Sequence, residues 1–128
     1  MTTAAAFTIS QIGQIAINAH NVERATQFYR DTLRLPHLFS AGGLSFFNCG
    51  GVRLMLSQPE KPEFDHPSSI LYFKVANIQA AHAAMKERGA HFEDEPHLIA
   101  KLPGHDLWMC FFRDTENNLM GLMSEVAN

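Results

Sequence analysis

The sequence has few of the features that would assign a protein to a membrane or to nucleic acid. No apolar run approaches the roughly 18 residues that are needed to cross a bilayer. The formal charge is −3, and lysine and arginine form no basic stripe, so we expect no nucleic-acid partner. The first residues, "MTTAAAFTIS", lack the charged and long apolar segments of a signal peptide, which predicts a frayed tail there.

Cysteine is scarce, since the chain contains only Cys49 and Cys110, each inside an apolar strand pattern. Buried free thiols are therefore the expected state, in preference to a disulfide. Free thiols are typical of a reducing compartment, so the sequence predicts a cytoplasmic protein.

Common catalytic motifs are also missing. The glycine pairs in "CGG" and "AGG" are too short for a phosphate loop and lie at predicted hairpins. There is no Cys-x-x-Cys pair, and Ser68 and Ser69 have no evident His/Asp partner for nucleophilic catalysis. No local motif therefore assigns a reaction, and whether the protein is an enzyme stays open.

What the sequence does contain is an internal repeat. The chain has 128 residues, 46% of them hydrophobic, which suits one domain or two small halves that share a core. Residues 13–35 match residues 69–90, with Ile15 matching Leu71 and Asn21 matching Asn77. Each copy has the pattern of a strand followed by a helix, and the two asparagines are suitable N-caps.

Strand patterns follow each predicted helix. They are "HLFS", "LSFFNC" and "VRLMLS" in the first half, and "AHFEDEPHLIA", "DLWMCFF" and "LMGLMS" in the second. The sequence thus predicts an α+β fold of tandem β-α-β-β-β modules, with a curved, mostly antiparallel sheet and one helix covering one face of each half. Within a single domain of residues 1–128, we expect module 1 at about 10–57, a proline-rich linker at 58–68, and module 2 at about 69–125.

Two stretches carry a family resemblance, "IGQIAINAHNVERATQFYRDTLRL" and "FFRDTENNLMGL". With the tandem modules they resemble the vicinal oxygen chelate superfamily, which includes glyoxalase I, extradiol dioxygenases and bleomycin-resistance proteins. The second stretch is similar to that family's Phe-x-Asp-Pro-Asp-Gly-Asn turn, with Asn117 in the glycine position, where Asn tolerates the left-handed conformation. The resemblance covers residues 10–125 and implies a sheet curved around a cup, but one scaffold of this kind hosts many reactions.

In that family, four side chains inside the cup bind a divalent metal. The resemblance places these positions at Gln14, Met55, Ile70 and Gly121, of which only Gln14 carries a donor that the family uses. A divalent site needs about four donors from histidine, carboxylate, thiolate or water, so we predict a degenerate site without metal or other cofactor. The alternative is a metal-dependent lyase, isomerase or dioxygenase, in which an inward-pointing His66, His97 or His105 completes the site.

Strand alternation predicts which residues line the cup. The predicted ligand-binding residues are mostly apolar or aromatic, with a few polar groups, and they are Gln14, Phe46, Asn48, Met55, Ile70, Tyr72, Lys101, His105, Met109, Phe111 and Gly121. Lys101 is expected in an entrance loop, and Arg53 and Lys74 are expected to reach water at the rim. His105 is a weak candidate for acid–base catalysis, because imidazole titrates near neutrality.

This lining suits a hydrophobic or aromatic small molecule, which is the function that we predict. The alternative is that Met55, Ile70 and Met109 fill the cup and leave no cavity. A homodimer is expected, because relatives commonly pair and because the first strand of each module would otherwise expose a backbone edge. Membrane and nucleic-acid partners are not expected.

Overall fold

Two β-sheets, each with a helix against one face, make up the protein. The computed structural model describes residues 7–128, so the first six residues of the tail predicted at "MTTAAAFTIS" lie outside the described residues. The fold is α+β, with tandem modules of the predicted strand–helix–strand type, and the fold-class prediction is confirmed. Within residues 7–128 there is no helix with both the length and the apolar content that spanning a bilayer would require.

Module 1 forms the first sheet, named sheet A. Its elements are β1 (Gln14–Asn18), α1 (Val22–Gln27), β2 (His37–Ala41), β3 (Leu44–Cys49) and β4 (Val52–Ser57). The strand order is β1-β4-β3-β2, with β1 parallel to β4 and the other pairs antiparallel. β1 and β4 can run parallel because α1 returns the chain across the sheet between β1 and β2, and parallel strands need a crossover connection of this kind.

Module 2 forms the second sheet, named sheet B. Its elements are β5 (Tyr72–Lys74), α2 (Ile78–Glu87), β6 (His91–Phe92), β7 (His97–Leu102), β8 (His105–Arg113) and β9 (Leu119–Ala127). The order is β5-β9-β8, and both β6 and β7 pair with the far edge of β8.

The strand predicted at "AHFEDEPHLIA" is therefore two strands. Between them the Asp94 side chain accepts the Phe111 backbone N–H at 2.7 Å, a bond that a regular ladder would give to a backbone carbonyl. Pro96, which has no N–H to donate, lies in the same interruption.

Both predicted N-caps are present. The Asn21 side chain accepts the Arg24 N–H at 2.9 Å, and the Asn77 side chain accepts the Ala80 N–H at 3.0 Å. The first helix continues as a wider π-helical turn over Phe28–Thr32, which buries Phe28 and Tyr29. This local widening was not predicted, because it depends on how the two aromatic rings pack in the core.

The hydrophobic core lies between the helices and the helix-facing sides of both sheets. Its members come from the helices and from β1, β3, β4, β8 and β9, and they include Ile17, Tyr29, Phe47, Leu54, Leu56, Ile78, Met85, Cys110, Phe112, Met120 and Leu122. The rings of Phe28 and Phe112, 6.4 Å apart, link the two modules. The two modules therefore share one core.

The two cysteines are unpaired, so the prediction of free thiols is confirmed. Burial, together with the nearby carboxylates of Asp94 and Glu95, raises the pKa of Cys110 to about 12. Burial also raises the pKa of the half-buried Cys49 thiol. Neither thiol is therefore activated as a nucleophile.

The turn with the family resemblance, residues 114–118, fastens module 2 to module 1. The buried Asp114 carboxylate accepts hydrogen bonds from the Tyr29 hydroxyl at 2.7 Å and from the Asn118 backbone N–H at 2.8 Å. The Asn118 amide donates to the Asn18 carbonyl at 2.8 Å. Asn117 has φ of 64°, so the prediction of a left-handed residue is confirmed.

Candidate functional site

The candidate site lies on the face of each sheet that points away from the helices, which we name the inner face. In β4, Leu54 and Leu56 are buried in the core, while Arg53 is exposed and Met55 is half-buried. The same alternation places Gln14 of β1 and Phe46 of β3 beside them on the inner face of sheet A. The predicted orientations of these strands are confirmed.

On sheet A, the inner-face side chains form a connected set. The Gln14 oxygen Oε1 accepts a hydrogen bond from Nε of Arg53 at 2.7 Å, and Gln14 Nε2 lies 3.6 Å from the Met55 sulfur. The Arg53 guanidinium lies 5.3 Å from the ring centre of Phe46, which stacks on Phe39 with centroids 4.5 Å apart. Arg53 is exposed to solvent, as expected, and its guanidinium is also held against Gln14 and Phe46 on the inner face.

These residues fit the family's metal poorly. The Gln14 oxygen already accepts a hydrogen bond from a guanidinium, and a divalent ion on the same oxygen would repel that positive charge. The Met55 thioether is a soft ligand that hard cations disfavour. Among residues 7–128, no three His, Cys, Asp or Glu side chains are grouped where they could hold a metal ion.

The three histidines of the alternative prediction do not converge in the described structure. His66 lies in the linker with Nδ1 3.1 Å from the Pro67 carbonyl. His97 lies in β7 beside Asp94, and His105 lies at the start of β8 beside Glu125. Each ring therefore has a local partner of its own.

Gly121 occupies a position on sheet B that a neighbouring side chain fills. It pairs with Tyr72 on one side and Phe111 on the other. A Cβ built on Gly121 would lie 2.8 Å from Cδ2 of Tyr72 and 3.3 Å from Cε1 of Phe111, whose rings meet edge to face. Glycine is needed here because the Tyr72 ring lies against the backbone. Ile70, the remaining position that the family resemblance assigns to a metal ligand, precedes β5 and is 42% exposed.

The other predicted residues of module 2 lie further along sheet B. His105 pairs with Ala127, six positions from the Phe111–Gly121 pair, which is about 20 Å along a strand. Its Nε2 is 3.3 Å from Glu125, and the Lys74 ammonium, hydrogen-bonded to that carboxylate, lowers the pKa of Glu125.

Lys101, expected in an entrance loop, lies instead in β7, paired with Asp106. The hairpin turn is shorter than expected, because Leu102 still pairs with His105 and Gly104 takes the left-handed conformation. Met109 lies in β8, in the middle of sheet B, where it pairs with His97 of β7 and Met123 of β9.

The described cavities do not gather all the predicted residues. A cavity of about 440 Å³ lies over the inner face of sheet A beneath the linker, and its lining includes Ala16, Asn18, Leu44, Met55, Phe64 and His66. A second cavity of about 370 Å³ lies at the junction of the modules and includes Tyr72 in its lining. Met55 and Tyr72 are thus the members of the predicted set that line these two cavities.

Apart from His66 in the alternative prediction, the linker over sheet A was not predicted as part of the site. The Asn18 amide donates to the Asp65 carboxylate at 3.2 Å and to the His66 carbonyl at 3.1 Å, and the His20 ring lies 2.7 Å from Asp65. These contacts with His20 and Asn18 lower the pKa of Asp65. The only local sign in the sequence is an aromatic residue, Phe64, within a proline-rich segment.

Comparison with solved structures gives many similar folds at low identity. An integron cassette protein from Vibrio cholerae matches with a TM-score of 0.75 and 18% identity over 92% of this chain and 97% of its own. A glyoxalase/bleomycin resistance protein/dioxygenase from Nocardioides matches with a TM-score of 0.72 and 16% identity over 95% of this chain and 87% of its own. Lactoylglutathione lyase from Agrobacterium tumefaciens matches with a TM-score of 0.68 and 21% identity over 91% of this chain and 95% of its own. At these identities the likeness shows the fold alone.

Comparison with curated proteins gave no significant match. The family model of the Glyoxalase/Bleomycin resistance protein/Dioxygenase superfamily, however, matches residues 11–122, which include both modules and the turn at residues 114–118. The chain therefore belongs to the glyoxalase/bleomycin resistance protein/dioxygenase superfamily.

Proposed function

We propose that this protein binds a hydrophobic or aromatic small molecule on its inner face and does so without the family's metal. The observation that carries the proposal is the hydrogen bond of 2.7 Å from Arg53 to the Gln14 oxygen. Gln14 carries the one conventional metal donor among the four positions, and in this bond its oxygen is already occupied by the positively charged Arg53 side chain.

The surroundings of this bond support a ligand-binding role. Phe39, which stacks on the buried Phe46 ring, and the half-buried Met55 supply apolar surface. The cavity beneath the linker, about 440 Å³, has the size of a small-molecule site. Bleomycin-resistance proteins, to which the sequence is similar, suggest sequestration as the role of such binding. Met55 does not fill the space over sheet A, since it lines this cavity.

The metal part of the proposal is tested by elemental analysis. The protein is purified without metal, incubated with Ni²⁺, Zn²⁺, Fe²⁺ or Mn²⁺, and desalted; we expect far less than one ion per chain. Near-stoichiometric metal that is lost in Gln14→Ala would overturn the proposal and favour the metal-dependent enzyme.

The ligand part is tested by native mass spectrometry and by thermal shift with a panel of small aromatic compounds. We expect binding by the wild-type protein and weaker binding by Phe39→Ala, which removes exposed aromatic surface from the inner face. Phe7→Ala is the matched control, because Phe7 is 79% exposed and lies before β1. Equal binding by both variants would contradict the placement of the site.

We also propose that the protein is a homodimer. Phe39, Ile70 and Tyr72 are between 42% and 47% exposed, although all three are large and apolar or aromatic. Within residues 7–128, β1 pairs only with β4 and β5 only with β9, so each has one unpaired backbone edge. A second copy could cover both features. Light scattering at working concentration should give twice the chain mass, and a clean monomer would refute the dimer.

We infer a cytoplasmic location from the two free thiols, which a reducing compartment preserves. Fractionation of cells that express the protein, followed by thiol labelling after denaturation, should find it in the cytoplasmic fraction with both cysteines reactive. Recovery from another fraction, or an oxidised pair, would contradict this location.

A further inference from the structure

Arg53 differs from the arginines that make ion pairs in the described part of this protein. Arg24, Arg30 and Arg113 each contact a carboxylate within the chain. Arg53 has no carboxylate partner among the described residues, and its one described hydrogen bond uses Nε. Its Nη1 and Nη2 groups therefore have no partner within residues 7–128.

The guanidinium of Arg53 is nevertheless held in place. Nε is bonded to Gln14, and the planar group lies 5.3 Å from the centre of the Phe46 ring. Side-chain contacts of this kind reduce the rotamer freedom that an exposed arginine would lose on binding a ligand. Arg53 is thus a preorganised cation whose Nη1 and Nη2 groups are unpartnered among residues 7–128.

The chemistry of these donors selects the ligand's charged group. Two parallel N–H groups of a guanidinium match the two oxygens of a carboxylate, with which they form a bidentate, charge-assisted pair. Asn48, which pairs with Arg53 across the strands, adds a further donor. Its Oδ1 accepts the Gly51 N–H, while its side-chain Nδ2 has no partner among the described residues.

The neighbouring surface selects the ligand's body. Phe39, which is 47% exposed, stacks on the buried Phe46 ring with ring planes 28° apart, and this gives an aromatic surface close to the guanidinium. Met55 lies two residues beyond Arg53 on the same face, about 7 Å along the strand, and lines the cavity beneath the linker. A flat ring attached directly to a carboxylate, or conjugated with it, spans this distance.

We propose that Arg53 is the anion-binding residue of the inner face and that the ligand is a planar aromatic or conjugated monocarboxylate. The inference rests on the proposed function and specifies its ligand class. A fixed guanidinium then supplies positive charge beside Gln14 and Met55, two of the positions that hold the metal in relatives.

The test compares matched probes on matched variants by NMR titration and calorimetry. The probes are benzoate and cinnamate, the neutral benzamide and cinnamamide, and inorganic phosphate. The variants are Arg53→Gln, which removes the charge, Arg53→Lys, which keeps the charge without the fork, and Arg30→Gln as the control on an exposed arginine paired with Asp31. Circular dichroism checks that each variant is folded.

We expect a carboxylate to bind the wild-type protein about tenfold or more tightly than its amide, the difference expected of a charge-assisted hydrogen bond. Arg53→Gln should remove this preference, Arg53→Lys should recover only part of it, and Arg30→Gln should leave it intact. The NMR signals of the Asn48 amide and the Met55 methyl should shift on binding.

Three outcomes would overturn the inference. If carboxylate and amide bind the wild-type protein equally, Arg53 is not an anion site, although aromatic binding and the proposed function stand. If phosphate binds as tightly as benzoate, the site is a general anion site and the ligand class is wrong. If no aromatic probe binds, the proposed function fails as well.

Discussion

Gly121 shows how one side chain's size controls the inner face of sheet B. The Tyr72 ring occupies the space where any larger residue at position 121 would place its Cβ. Tyr72 is 45% exposed, so the ring can turn toward solvent if it is displaced, at the loss of its contact with Phe111. The absence of a donor side chain at position 121 and the aromatic pair beside it are therefore two consequences of the same glycine.

Gly121→Ala should lower the free energy of unfolding by about 1 kcal/mol, because the new methyl group overlaps the Tyr72 ring. In a Tyr72→Ala background the same substitution should cost almost nothing. Urea unfolding of the two single variants and the double variant measures this coupling. Gly13→Ala, with no atom within 4 Å of its Cβ, is the control; equal costs in both backgrounds would contradict the steric explanation.

Glu116 is a second residue whose surroundings give a measurable effect. Its side chain is 2% exposed and accepts hydrogen bonds from the Asn21 backbone and from Arg24, each at 2.8 Å. Burial acts to raise the pKa of Glu116, but the bonds from Arg24, Asn21 and Thr115 lower it on balance below its ordinary value of 4.5. Because the pKa is lower in the folded state, ionised Glu116 stabilises the protein at pH values above the ordinary pKa of 4.5. This contribution is lost as pH falls through the folded-state pKa.

Glu116→Gln should therefore reduce the acid sensitivity of stability below about pH 4.5. Thermal unfolding of both proteins across this range gives the comparison: the variant is less stable at neutral pH, and the difference narrows on acidification. Asp31→Asn is the control, since its partner Arg30 is adjacent in sequence and available in the unfolded chain. A constant difference at all pH values would refute the assignment.

At the scale of elements, the two helix starts are alike locally but differ in their tertiary contacts. Asn21 and Asn77 each cap a helix through the side chain. The Asn21 backbone N–H additionally donates to Glu116 of module 2, which replaces the glutamate that a local capping box would supply. The first helix therefore depends on the other module, while the second is capped by its own sequence.

Asn77→Ala should lower the free energy of unfolding by about 1 kcal/mol, because the Ala80 N–H loses its acceptor. Asn77→Gly should cost only a few tenths of a kcal/mol relative to wild type, since glycine is itself tolerated as a cap. Chemical denaturation of the three proteins measures the series. Equal effects of alanine and glycine would show that the cap contributes little.

At the scale of the whole molecule, the modules are held together by the core and by polar contacts through the turn at residues 114–118. The Tyr29 hydroxyl donates to Asp114, and Arg88 donates to the Thr32 carbonyl at 3.0 Å. Burial and the Asp114 carboxylate raise the pKa of Tyr29 well above its ordinary value, so this hydroxyl remains a donor at all working pH values. We expect the modules to unfold as one unit.

Tyr29→Phe should lower the free energy of unfolding by about 1–3 kcal/mol, because Asp114 loses a donor inside the protein. Trp108 fluorescence, which reports on module 2, and hydrogen exchange of α1, which reports on module 1, should show the same loss. Tyr72→Phe is the control, since that ring is half exposed. Separate transitions for the two modules would contradict a shared core.

Some features were predictable from the sequence because their causes are local. The strands "LSFFNC" and "VRLMLS" were placed to the residue, since alternation on both sides of a glycine turn fixes the register. His82, by contrast, lies on a helix and has no evident partner in the sequence, yet it is 7% exposed and packs against the Phe92 ring. Its burial depends on β6, a strand that forms only where β8 is available to pair with it.

The sequence by itself determined the tandem α+β modules, the helix caps and the poor donor chemistry of Met55, Ile70 and Gly121, because periodicity, capping and ligand chemistry each depend on residues close together or on residue type alone. Only the tertiary structure decided that Arg53 takes the oxygen of Gln14, that Tyr72 fills the space over Gly121, and that the linker covers sheet A. Those outcomes depend on side-chain directions across different strands and segments, which are set when the sheets and the linker pack together.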